Sequence, residues 1–317
     1  MSRSEPPVEQ HSTDGARAEA AAARGRTVEP FGPGSLIWRY LGDVRYGLGG
    51  RVATTLQVMH PAIGAAVSDP ELSVFFTEPL ARFARSQPLI MGVVYNGAGS
   101  HTTADTLRDM HTGIKGTVTD TAQRGRRYHA LDPEIFYWAH ATFVYALFAS
   151  IDAFHEPLST AERDELYLEC CHWYRLYGLS DRPMPPDYPS FTAYVDRMCA
   201  TELAATETAL RGKAMFGDPK TIPQDYVPRW LWRLVAPGPF KLNVFLSVAL
   251  MPPVVRSKMN YSWTEAHERR FRRVARVVRA VVPRLPDRVR YVGEARRAFA
   301  RDGWPNRATV QHSGVRT

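Results

Sequence analysis

The side chains best suited to chemistry lie in a few short stretches. In "DPEIFYWAHATFVYALFAS", residues 132–150, His140 sits within an apolar and aromatic run. At helical spacing Phe136, Tyr137, Phe143 and Val144 share its side, so the imidazole leaves its helix into apolar surroundings. Such a histidine is either a core residue donating to a carbonyl or hydroxyl, or a neutral metal ligand; a greasy surround could receive the face of a haem macrocycle. In "LRDMHTGIKG", Arg108, His111 and Lys115 recur at i, i+3 and i+7. On one helix they form a cationic stripe, which is an exposed basic face unless it is buried against anions such as propionates, a phosphate or protein carboxylates. Glu169 and His172 make an ExxH pair, which is how each half of a di-iron bundle begins. No second pair completes it, because the residues three positions after Glu202 and Glu207 are Ala205 and Leu210. His60, before Pro61 in "LQVMHPAIG", is a further pocket candidate or marks a bend.

The elements that must position these groups read as helices. The pattern predicts them near 34–41, 49–68, 72–94 and 102–115, with Gly47, Gly49 and Gly50 loosening the first boundary. Asp132 as a cap and Pro133 at the first helical position start the helix that carries His140, which runs to about Ala153 and is apolar on nearly every face. Ser159 and Glu162 stand at capping-box spacing before a helix that Gly178 can stop. "DRPMPPDYPS" is a connector, followed by a helix over 191–210. Residues 227–255 are the most hydrophobic part of the chain. Pro237 and Pro239 cut them into pieces shorter than the roughly 20 residues that a spanning helix needs. They read as core helices, or as a surface lying on a membrane. Ser262 and Glu265 then cap a last long helix, from Trp263 to about Val282, with its arginines outward. Repeats and alternating strand patterns are lacking, so the expected fold is all-α, a single globular multi-helix domain. It is expected over 31–303, between a disordered N-terminal tail over 1–30 and a flexible C-terminal tail over 304–317.

With 317 residues, 44% of them apolar, the chain can bury a substantial core. The charge of +8 is uneven: residues 268–301 hold twelve arginines against Glu268, Asp287 and Glu294. That is a solvated helix face or a surface for an anionic membrane or acidic partner. Nucleic acid is not expected, because no zinc finger, RNP-type strand or phosphate loop accompanies the arginines. Cys170, Cys171 and Cys199 have neither disulfide-framework nor metal spacing. With an N-terminus free of apolar stretches, this points to a cytoplasmic protein, with peripheral contact at the inner face of an anionic membrane left open.

Taken in order, "LQVMHPAIGAAV", "LRDMHTGIKG", "YHALDPEIFYWAHATFVYAL" and "ERDELYLE" resemble the rubber-oxygenase catalytic domain family, over roughly residues 30–300. The family includes latex-clearing proteins and the fungal oxygenase of mycophenolic acid biosynthesis. The resemblance implies an all-helical domain enclosing haem b, which uses dioxygen to attack a small apolar or isoprenoid-like organic substrate. It also implies His140 as the axial ligand, with Phe136, Tyr137 and Val144 around the haem. Arg108 and His111 fall where basic residues flank the haem or its propionates, and Lys115 stands as a candidate for the distal lysine. A haem sensor or carrier without turnover, and a non-haem di-iron enzyme, are the alternative readings.

Overall fold

A computed structural model describes residues 29–305. The expected N-terminal tail, except for its last two residues, and the expected C-terminal tail beyond residue 305 lie outside the described residues. The apolar stretches between the glycines and prolines fold as helices. In chain order these are α1 (Leu36–Tyr40), α2 (Val44–Leu48), α3 (Arg51–Val58), α4 (Pro61–Ser68), α5 (Pro79–Tyr95), α6 (Ser100–Asp109), α7 (Pro133–Phe154) and α8 (Thr160–Arg175). They continue as α9 (Tyr188–Arg197), α10 (Glu207–Gly217), α11 (Arg229–Val235), α12 (Pro237–Leu250), α13 (Pro253–Lys258), α14 (Glu265–Val281), α15 (Asp287–Arg290) and α16 (Gly293–Asp302). Against them stand two three-residue strands, β1 (Lys115–Thr117) and β2 (Arg127–His129), so the class is all-α.

α7 is the centre. Asp132 accepts from the Glu134 amide at 3.0 Å and Pro133 opens the helix, as the sequence signals. Its buried residues include Phe136, Tyr137, Trp138, His140, Ala141 and Thr142 in nearly unbroken succession. A helix so enclosed must be covered on all sides, and α2, α3, α8, α12 and α14 pack around it. The box of Ser159 and Glu162 starts α8, and Gly178 takes φ +64° after it, a conformation that suits glycine.

Local breaks account for the departures from expectation. The helix expected over 49–68 is two, α3 and α4, because Pro61 holds His60 in extended backbone. The one expected over 191–210 divides at a π turn, Met198–Glu202. The one expected over 102–115 ends at Asp109; the chain then turns, and the β-branched residues Ile114, Thr117 and Val118 carry it into the hairpin. Gly116 lies opposite Tyr128, where an added Cβ would come within 2.8 Å of the phenol oxygen. α14 is capped by Thr264 and His267 instead of Ser262 and Glu265, and its arginines point outward as expected except Arg279, which is half-buried and donates from Nη2 to the Asp152 and Ala153 carbonyls. The core reading of 227–255 holds for the second half of α12, where Leu246, Ser247, Val248 and Leu250 are buried, but α11 buries no residue.

One buried ion cluster ties the two ends of the described chain to α7. Asp43 caps α2 through the Arg45 amide, and its carboxylate accepts from Arg45 Nε at 2.8 Å, Arg45 Nη2 at 2.6 Å and Arg290 Nε at 3.0 Å. Arg45 Nη1 donates to the Phe154 carbonyl at the end of α7, while Ser150 donates to the Arg45 carbonyl. Burial alone would raise the Asp43 carboxyl; the hydrogen bonds and charge of Arg45 overcome it and hold the group below its ordinary value of 3.8. Its contribution to stability is therefore present above that value and lost as pH falls below it. Asp43→Asn, which leaves Arg45 buried without its counter-charge, is expected to cost about 3–5 kcal/mol in urea unfolding.

Candidate functional site

His140 is 3% exposed. Its Nε2 lies 3.1 Å from the Cys170 carbonyl of α8, to which it donates, and its Nδ1 is buried without a partner. Rings close around it: Trp173 at 4.8 Å, Tyr174 at 5.3 Å, Tyr177 at 6.0 Å and Tyr137 at 6.3 Å between centroids. Burial pushes its pKa down to about 3, against the upward pull of the Cys170 carbonyl, so the ring is neutral. Phe136, Tyr137 and Val144 are buried beside it on α7. Phe136 reaches toward a second histidine, meeting His111 at 5.7 Å and Tyr177 at 5.3 Å.

His111 lies in the turn after α6. Its Nδ1 stands 2.7 Å from the Leu107 carbonyl, which fixes the tautomer and leaves the lone pair on Nε2. That nitrogen has no hydrogen bond among the described residues. Burial lowers the His111 pKa, and the Arg82 guanidinium of α5 lowers it further. The three-residue stripe is broken, however. Arg108 is committed to Asp105 at 2.6 Å, to Asp109 at 2.7 Å and to the Tyr177 carbonyl at 3.3 Å. Lys115 is exposed on β1, paired with His129.

A cavity of about 390 Å³ opens between α3, α5, α10 and α12. Neither His140 nor His111 lines it; Arg82 does, and its charge also helps lower the His111 pKa. Phe83, 61% exposed, marks its way to solvent. The volume falls in the ordinary range for a small-molecule site. Sequence reasoning passed over Arg51, Arg82 and Lys213 in its wall, because nothing local to those residues announces a cavity assembled from four helices.

The ExxH pair has a structural task. Ser35 does not cap α1, and Glu169 does so from α8, accepting from the Leu36 amide at 2.9 Å and the Ile37 amide at 2.6 Å. His172 Nε2 is hydrogen-bonded to the Glu29 carbonyl. Glu202 accepts from Gln123. Among the described residues no three His, Cys, Asp or Glu side chains gather as a metal site. His60 is buried with Nδ1 unpartnered, its pKa pushed down to about 4 by desolvation.

An all-helical domain with a buried histidine, a half-buried one and a largely apolar cavity sets the class, and comparison identifies the family. Residues 38–280 match the family described as ER-bound oxygenase mpaB/B'/Rubber oxygenase, catalytic domain, and the chain belongs to it. That family is characteristically one of haem b-binding domains. The chain is also similar to an uncharacterised protein of Mycobacterium bovis and to one of Mycobacterium tuberculosis. Each is 29% identical over 174 residues, covering 54% of this chain and 63% of the relative, so the match spans less than two thirds of their length. No solved structure matches significantly.

The two imidazoles have the chemistry of a haem ligand, although neither lines the cavity described above. A neutral imidazole whose other nitrogen is anchored to a carbonyl is the ligand such iron requires. His111 offers Nε2 in that arrangement; His140 offers the unpartnered Nδ1, inside a closed aromatic shell. If Glu169 is a cap and not an iron ligand, Glu169→Ala should lower stability by about 1.5–3 kcal/mol in denaturant titration. Its iron content, measured by atomic absorption, should be unchanged.

Proposed function

We propose that the protein is a haem b-dependent oxygenase that acts with dioxygen on a small apolar or isoprenoid-like organic substrate. The observation that carries this reading is the His111 imidazole, anchored at Nδ1 to the Leu107 carbonyl and with no hydrogen bond at Nε2 among the described residues, in a chain of this family. Bound haem supplies an iron able to bind and reduce dioxygen. His111 would hold the haem iron through Nε2, with His140 as the other candidate through its unpartnered Nδ1. Burial and Arg82 keep His111 unprotonated, while the Leu107 carbonyl orients the ring and raises its basicity. Arg82, a cation of the cavity wall, would add positive charge there. The apolar wall orients the substrate and keeps water from competing. Arg108, neutralised by Asp105 and Asp109, acts as a positioning residue for the α6 end through the Tyr177 carbonyl rather than as a propionate clamp.

The two histidines separate by experiment. A pyridine haemochromogen assay should find about one haem per wild-type chain and little in His111→Ala, while His140→Phe retains it. The reverse pattern would make His140 the ligand.

The partner surface concerns α11. Residues 226–264 contain no Asp or Glu. On this segment Trp230 and Leu234 are 70% and 73% exposed, with Tyr226, Val235 and Leu242 exposed near them and Arg229, Arg233 and Lys241 interspersed. No helix among the described residues is long and apolar enough to cross a membrane. Exposed aromatics beside cations suit peripheral contact with anionic lipid, each cation contributing about 1 kcal/mol near the surface. In flotation, the protein should rise with phosphatidylserine vesicles and not with phosphatidylcholine alone. Raising the salt should release it, and Trp230→Ser with Leu234→Ser should prevent it. Absence of flotation at low salt would reject the contact.

A further inference from the structure

The cavity wall carries three basic side chains, Arg51, Arg82 and Lys213, and no acidic one. Arg51 donates from Nε to Asn243 Oδ1 at 2.7 Å, and its guanidinium lies 4.0 Å from the Phe216 ring centre and 4.9 Å from that of Phe240. Arg82 has the Phe75 ring at 5.4 Å as its neighbour. Lys213 Nζ donates to the carbonyls of Met259 and Asn260, at 2.7 Å and 3.0 Å. Among the described residues none of the three is paired with a carboxylate. Desolvation pushes the Arg51 pKa down to about 10 and lowers that of Arg82 as well. Arg45, by contrast, is paired with the buried Asp43 carboxylate. Positive charge left uncompensated in an apolar wall is costly, and an anion entering the cavity relieves that cost.

We propose that this cavity binds an amphipathic organic anion, its carboxylate or phosphate head held by Arg51 within the field of Arg82 and Lys213, and its hydrocarbon tail lying along Phe75, Phe216 and Phe240. This names the substrate class of the oxygenase reading and rests on it, but the binding is read without turnover. The guanidinium of Arg51 is presented between two aromatic faces, which desolvate it and leave its outer N–H groups for the head. Haem is itself an amphipathic anion, yet the cavity lining holds no histidine to bind its iron.

Calorimetric titration of the haem-loaded protein with decanoate, decyl phosphate and 1-decanol, three ligands of equal tail, tests the proposal. At least one anion should bind tighter than the alcohol by on the order of tenfold to a hundredfold, the worth of one charge-assisted hydrogen bond; the tighter anion identifies the head. Arg51→Met should abolish the preference and Arg51→Lys should keep most of it, both with wild-type haem content. If Arg51→Met does not fold, Arg82→Gln combined with Lys213→Met must weaken the same preference. Equal affinity for alcohol and anions overturns the proposal, as does a preference that survives Arg51→Met. Loss of haem from Arg51→Met with the preference intact would assign Arg51 to a propionate instead, and also overturns it. A wild-type protein that takes up no haem would overturn the oxygenase reading alone, because the anion preference is measurable on the same chain.

Discussion

Helix α7 has to be covered on every side, and the rest of the architecture follows from that constraint. Its apolar residues leave no stripe for water, so five helices from distant parts of the chain are recruited around it. The favourable term is the apolar area removed from water, about 25 cal/mol per Å². It fixes where helices lie but not how their ends are joined. Polar contacts supply that specificity. The Asp43 carboxylate holds Arg45 against the Phe154 carbonyl and takes Arg290 from the other end of the chain, and Glu169 stands in for the missing cap of α1. Removing one partner from such a contact leaves a buried group unsatisfied, so these few residues weigh more than their number suggests.

The same rule explains why two histidines on neighbouring elements differ. Each has one nitrogen on a backbone carbonyl, so each is a defined neutral tautomer. In His140 the carbonyl takes Nε2, and the remaining nitrogen faces rings of its own core. In His111 the carbonyl takes Nδ1, and the far nitrogen has no hydrogen bond among the described residues. Phe136 and Tyr177 form a continuous aromatic path between the two rings. The packing of the two histidines is thus coupled through these rings.

How much of this could be read in the sequence depended on the range of the interaction. The Asp132–Pro133 start and the Ser159–Glu162 box are contained within four residues and appear as expected. The hairpin after α6 does not announce itself, because three-residue strands carry too little alternation to register. His140 is conspicuous in the sequence because its surroundings are apolar, yet the carbonyl that occupies its Nε2 lies thirty residues away. The commitment of Glu169 was hidden more deeply, since its partners are amides 132 and 133 residues upstream. For His111 the partner is four residues back, but the helical stripe drawn through Lys115 assumed a helix that ends at Asp109.

Charge placement distinguishes cation sites built for stability from those open to ligand. Arg45 and Arg108 each have a carboxylate within 2.6 Å, so an arriving anion would have to compete with a fixed counter-charge at contact distance. Arg51 and Arg82 have aromatic neighbours instead. A ring face attracts a cation but does not neutralise it, and it removes water that would otherwise screen the charge. The cations of the cavity therefore remain uncompensated among the described residues, and the charge of Arg82 adds to burial in lowering the His111 pKa. One arginine, Arg82, thus acts in two places with the same charge: it adds to the burial that disfavours a proton on His111, and it favours an anion where the cavity has none of its own.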